Sequence, residues 1–126
     1  MHYLGIDFGL KRVGLAFSEG ELATPFKTLE VRNSKDAVEK VQHLIKEEGF
    51  EQIVVGLPEG KMGQIVLGFI KALKKSGLKV VEADETLSTQ RATAQMIKSG
   101  IRKKDRLTND AVAAAIILQN YLDLLP

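Results

Sequence analysis

Two hydrophobic periods alternate along the chain. Tyr3 to Phe8 reads as a short buried strand and Lys11-Arg12 as a polar turn. Val13, Leu15 and Phe17 then alternate with Gly14, Ala16 and Ser18, the period of two that marks a second strand. Glu19-Gly20-Glu21 makes the next turn. Pro25 to Val31 reads as a third, more exposed strand with Leu29 and Val31 on one face. Turns this short predict an antiparallel meander.

The period then lengthens. Ser34 suits an N-cap, and Asp36 in the first turn suits the helix dipole. Val38, Val41, Leu44, Ile45 and Glu48 follow helical spacing with one apolar stripe, and Gly49 stands at the expected C′ position. Ile53 to Leu57 is a continuous apolar run, which predicts a strand covered on both faces. Pro58 stops it, and Glu59 to Gly63 reads as a loop. A second helix from Gln64 to Lys75 buries Val66, Phe69, Ile70 and Leu73, and Gly77 ends it. Lys79 to Asp84 is a fifth strand, less apolar and so nearer an edge. Ser88 caps a third helix reaching Lys98, and a basic loop runs from Ser99 to Leu107. Thr108 or Asn109 then caps a last helix with Val112, Ala115, Ile116, Gln119 and Leu122 down one side. The order is βββαβαβαα. Strand-helix-strand links within one sheet require parallel crossovers. Strands one, four and five are therefore expected to run parallel, with the meander antiparallel on one side and helices on both faces: an α/β fold with a five-stranded mixed sheet.

Composition narrows the class. The chain has 126 residues, which fits a single domain over 1–126 with a substantial core. No apolar run approaches the ~20 residues that span a bilayer, so no membrane is expected. Met-His-Tyr-Leu-Gly lacks the charged and apolar regions of a signal peptide. With no cysteine there is no disulfide and no thiolate metal site. Both absences point to the cytoplasm. His2 and His43 are far apart and read as surface residues. Net charge is only +2, yet Lys98, Arg102, Lys103, Lys104 and Arg106 face one acid, Asp105, giving +4 locally and −2 over the remainder. A concentrated basic segment in a near-neutral chain points to an anionic partner, although a charge run also fits a solvated loop.

The acids fall in a pattern on this frame. Asp7 sits inside an apolar strand between Gly5 and Gly9, where a buried charge needs a partner. The glycines leave the backbone open to close approach. Asp84 and Glu85 stand at the carboxyl end of strand five and Glu59 follows strand four. In open α/β sheets, sites form at that edge. Asp110 opens the last helix and can reach the same edge. Taken singly, Asp7 also fits a turn cap, Asp110 a first-turn helix acid, Asp84-Glu85 a solvated strand exit and Glu59 a loop charge. Brought together, carboxylates repel unless a cation sits among them. All-oxygen ligands favour Mg²⁺ or Mn²⁺. Such a cluster suits phosphodiester hydrolysis, with two ions roughly 4 Å apart holding the attacking water and the leaving oxygen. The basic segment, with Lys11 and Arg12 beside Asp7, would hold the phosphates. At 6% aromatic residues and no Trp, the chain suits recognition by shape and backbone rather than base stacking.

Gly5-Ile6-Asp7-Phe8-Gly9 with Lys11-Arg12-Val13-Gly14, then Val55-Gly56-Leu57-Pro58, then Asp84-Glu85-Thr86-Leu87-Ser88-Thr89, then Asp110 with Ala113-Ala114 and Ile117 to Leu122, resemble the YqgF/RuvX family in order over nearly the whole chain. The resemblance implies a ribonuclease H-like fold, similar to RuvC-type Holliday junction resolvases. It also implies a nuclease that matures the 5′ end of the 16S ribosomal RNA precursor. By the same match Asp7, the Asp84-Glu85 pair and Asp110 fall on the family's acidic positions, without deciding between Asp84 and Glu85. The chain departs from the family at Thr86, where Arg is usual, at Glu59, where an apolar residue is usual, and in a shorter loop after Gly60.

The leading expectation is thus a metal-dependent endonuclease on structured RNA, the precursor 16S rRNA, as monomer or homodimer. A Holliday junction resolvase on branched DNA shares the chemistry. Actin-like and sugar-kinase ATPases open with a similar Asp-x-Gly strand but need two such domains around the nucleotide, and 126 residues supply one. A non-catalytic nucleic-acid-binding module would keep the basic segment and use the acids structurally.

Overall fold

The computed structural model describes residues 1–84 and 110–125. Its five strands are β1 (Tyr3–Phe8), β2 (Arg12–Ser18), β3 (Thr24–Glu30), β4 (Gln52–Leu57) and β5 (Val80–Asp84). They form one sheet in the order β3-β2-β1-β4-β5. β1 pairs antiparallel with β2, and β2 antiparallel with β3. β1 pairs parallel with β4, and β4 parallel with β5. The expected meander and parallel set are both present, with β3 and β5 at the two edges. The described helices are α1 (Ser34–Glu48), α2 (Lys61–Lys75) and α3 (Asp110–Asp123). The helix expected over Ser88–Lys98, the basic loop after it and the cap at Thr108 or Asn109 lie outside the described residues.

Alternation along the strands sorts the core into two layers. Leu4, Ile6 and Phe8 of β1, Val13 and Leu15 of β2, and Ile53 and Val55 of β4 are buried with Val41, Leu44 and Ile45 of α1 and Val66, Phe69, Ile70 and Leu73 of α2. Phe8 and Phe69 meet with ring centroids 4.7 Å apart. On the opposite face Ala16, Val54 and partly buried Tyr3 and Val81 pack under Ala114, Ala115, Ile117, Leu118 and Leu122 of α3. β4 is thus covered on both sides, which explains its unbroken apolar run.

Four local expectations change. The N-cap of α1 is Asn33, not Ser34. Asn33 is extended, with φ −164°, and its side chain accepts the Asp36 N–H at 2.8 Å, leaving Ser34 as the first helical residue. Gly49 is the left-handed C-cap foreseen from its position, with φ 74° and an N–H donated to Ile45. Helix α2 begins at Lys61, three residues early. It has no side-chain cap to mark it, and half-buried Met62 packs on the core while Gly63 sits against the Pro58 carbonyl. α3 is buried over more than the stripe expected, with Ala111, Ala114, Leu118 and Asn120 also enclosed. Finally, His2 is half-buried rather than on the surface, stacked on Phe50 at 4.2 Å.

Candidate active site

Because Leu4, Ile6 and Phe8 enter the α1/α2 core, Tyr3, Gly5 and Asp7 take the other face of β1, the one α3 covers. Asp7 is half-buried there. Directly across the antiparallel ladder stands Gly14 of β2. The first residue of α3 lies on that glycine: a Cβ at Gly14 would fall 2.0 Å from the Asp110 carbonyl oxygen and 2.8 Å from the Asp110 Cβ. Opposed residues in such a ladder hold their Cβ positions about 4.5–5.5 Å apart. Asp7 and Asp110 therefore have their Cβ atoms within about 8 Å of one another, on one face of the sheet.

The helix can come this close because the sheet face beneath it lacks side chains. A Cβ at Gly5 would lie 2.7 Å from the Leu118 Cβ and 2.9 Å from the Ala114 carbonyl. Asp110, Ala114 and Leu118 are spaced four apart, so one ridge of α3 runs down the seam from Gly14 to Gly5. The close approach expected at Gly5 is thus made by a helix of the chain itself. Gly14, Ala16 and Ser18 are all buried, not the solvated half of an alternating strand. The signal was their size: a face of small rather than charged residues is one made for a close neighbour.

Asp110 has a second contact. Arg12 donates from Nε to Asp110 Oδ2 at 3.1 Å, closing 98 residues of sequence separation. Lys11 is exposed at the same hairpin tip, and its carbonyl accepts the Val31 N–H at 2.9 Å.

Asp84 ends β5 at the carboxyl edge of the parallel strands, where β1 and β4 also end. It stands opposite Leu57, which packs on the α1/α2 core. Alternation places Asp84 on that side of the sheet and Asp7 on the other. The structure thus brings Asp7 and Asp110 together and sets Asp84 at the same edge but the opposite face. Glu59 is exposed in the loop after β4. Glu85, Lys98, Arg102, Lys103, Lys104 and Arg106 lie outside the described residues. Among the described residues, no three carboxylates or imidazoles group closely enough to hold a metal ion. The Asp7–Asp110 pair alone is all oxygen, and Mg²⁺ commonly binds one or two carboxylates, keeping several waters and taking substrate phosphates. The donor set fits a hard divalent ion of that kind.

Known proteins share the fold and much of the sequence. Among solved structures, the RuvC of T. thermophilus in complex with a Holliday junction substrate superposes with a TM-score of 0.66 at 18% identity, covering 98% of this chain and 96% of that one. The likeness establishes the ribonuclease H-like fold. A protein of Anaplasma marginale named "Putative pre-16S rRNA nuclease" is 37% identical over 131 residues, covering 96% of this chain and 83% of the relative. Its namesake in Acetivibrio thermocellus is 34% identical over 135 residues, covering 98% of this chain and 96% of the relative. The family model described as "RuvX: Holliday junction resolvase" matches residues 1–124. Matched over residues 1–124 and at 34–37% identity along nearly its whole length, the chain belongs to the RuvX family.

Proposed function

We propose that the chain is a divalent-metal-dependent endonuclease that processes the precursor of 16S rRNA. The observation that carries this reading is the meeting of Asp7 and Asp110 across Gly14 at the carboxyl edge of the sheet. Relatives over nearly the whole chain are named for that substrate. Asp7 and Asp110 hold the ion, and a third acid comes from the Asp84-Glu85 pair. The placement of Asp84 on the α1/α2 side favours Glu85 for that part. An Mg²⁺ or Mn²⁺ ion held by these carboxylates would acidify an attacking water and would offset the charge that develops on the phosphate. Lys11 and the basic residues Lys98, Arg102, Lys103, Lys104 and Arg106 grip the phosphate backbone, so that the scissile bond lies over the acids.

The test is incubation of purified protein with precursor 16S RNA, naked and in ribosomal precursor particles, with Mg²⁺, Mn²⁺ or EDTA. Cleavage is expected only with metal. Asp7→Asn and Asp110→Asn should keep their circular dichroism spectra and lose cleavage by more than about 100-fold, the upper end of what losing even an outer-shell metal partner costs. Cleavage that survives Asp7→Asn sinks the assignment.

A second reading, resolution of four-way DNA junctions, is favoured by the family description and by the fold shared with RuvC. Paired cuts in two strands require a symmetric dimer. A monomer on a sizing column that ignores four-way junctions excludes it.

A further inference from the structure

Lys11 and Arg12 look alike in sequence, but the structure separates them. Lys11 is exposed, whereas the Arg12 guanidinium is tied to Asp110 through Nε and Oδ2 at 3.1 Å. The two side chains remain open to solvent, 61% exposed for Arg12 and 30% for Asp110. The backbone beneath Arg12 is held firmly. It pairs with Glu30 across the sheet, the preceding carbonyl is bonded to Val31, and Gly9 sits so close that a Cβ there would lie 2.5 Å from the Arg12 oxygen. A fixed backbone with a long, exposed, permanently charged side chain is a pivot.

The Asp110 carboxylate that Arg12 holds is the same one assigned to the cation. A guanidinium and a divalent ion on one carboxylate stand a few ångströms apart, and their repulsion opposes joint occupancy. Phosphate offers a guanidinium a two-pronged partner at least as good as a carboxylate.

We propose that Arg12 and the divalent ion compete for Asp110, and that metal binding releases Arg12 to the substrate phosphate. Arg12 thus positions Asp110 before the ion binds and touches the substrate afterwards. It keeps Asp110 aligned beside Asp7 and offsets their repulsion, and it yields when the ion binds. Through this exchange the ion and the nucleic acid strengthen each other's binding by the same factor. The inference rests on the metal-dependent reading above.

Titration of wild type, Arg12→Gln and Arg12→Lys with Mn²⁺ by isothermal calorimetry, without nucleic acid, tests the competition. An exposed ion pair of this kind corresponds to about two- to fivefold in an equilibrium constant. Arg12→Gln is therefore expected to bind Mn²⁺ about two- to fivefold more tightly, and Arg12→Lys close to wild type. Equal or weaker binding by a folded Arg12→Gln overturns the competition and leaves the nuclease reading standing. No Mn²⁺ binding by wild type overturns both. The second arm measures affinity for an RNA stem-loop with and without Ca²⁺. The gain on adding the ion should shrink in Arg12→Gln, and an undiminished gain overturns the transfer of Arg12 to phosphate.

Discussion

Adding one methyl group at Gly14 would put a carbon 2.0 Å from the Asp110 carbonyl oxygen, a backbone atom that can retreat only by moving the start of α3. At Gly56 the same addition meets the end of the Ile117 side chain at 2.6 Å, which can turn aside. Gly14→Ala should therefore cost the 1–3 kcal/mol typical of overpacking, or more, and Gly56→Ala distinctly less. Thermal melts of the two variants check this. Mn²⁺ affinity should follow the same ranking, since only Gly14→Ala parts Asp110 from Asp7. Asp7 itself stood out in the sequence, because a charge inside an apolar strand demands an explanation. Gly14 did not, since glycine in a strand looks the same whether it faces water or a helix. The bond from Arg12 to Asp110 was invisible for another reason: no periodic pattern links residues 98 positions apart.

The α1 entrance shows what a single element conceals. Asp36 was legible as an acid in a first helical turn. In the structure its side chain is buried and accepts the Arg32 N–H at 2.9 Å, with Lys40 Nζ 3.3 Å away. The Arg32 N–H holds the Asp36 carboxyl below the usual carboxylate range; burial pulls it upward and Lys40 adds to the lowering. A carboxyl whose folded pKa lies below its unfolded one stabilises the fold above the unfolded value, about 3.9, and loses that contribution as pH falls through the folded value. Asp36→Asn should thus be less stable than wild type by a constant margin from about pH 6 to 8, and the margin should close below about pH 4. Urea melts across that range measure it. α3 was misjudged in the other direction. Its apolar residues run around the cylinder, and a one-stripe reading picks Ile116 and Gln119 while passing over Ala111, Ala114 and Leu118. Gln119 is an anchor, not a stripe member: it accepts the Ala23 N–H at 2.8 Å and donates to the Glu21 carbonyl at 3.0 Å, tying α3 to the turn before β3.

At the scale of the molecule, short turns gave the antiparallel meander and crossover rules the parallel set, while the pairing of β4 with β1 rather than with β3, which precedes it in the chain, follows from neither connection length. They could not say which side of β5 Asp84 takes, which depends on register with β4. The small net charge of +2 also hides where attraction lies. Lys11→Gln, at the exposed hairpin tip, should weaken RNA binding about equally for all sequences. It should also lower the slope of log affinity against log salt by about 0.7–0.9, one phosphate contact. Binding measured by fluorescence anisotropy from low to moderate salt checks it. The seam between β2 and α3 has one more consequence. Asp7 leaves the ribosome 103 residues before Asp110, so on the reading proposed above the ion has both of its carboxylates only once the second has emerged. A nascent product that stops between Gly14 and Asp110, including one abandoned by a stalled ribosome, is then expected to carry half of the ion's seat and to leave nearby RNA intact.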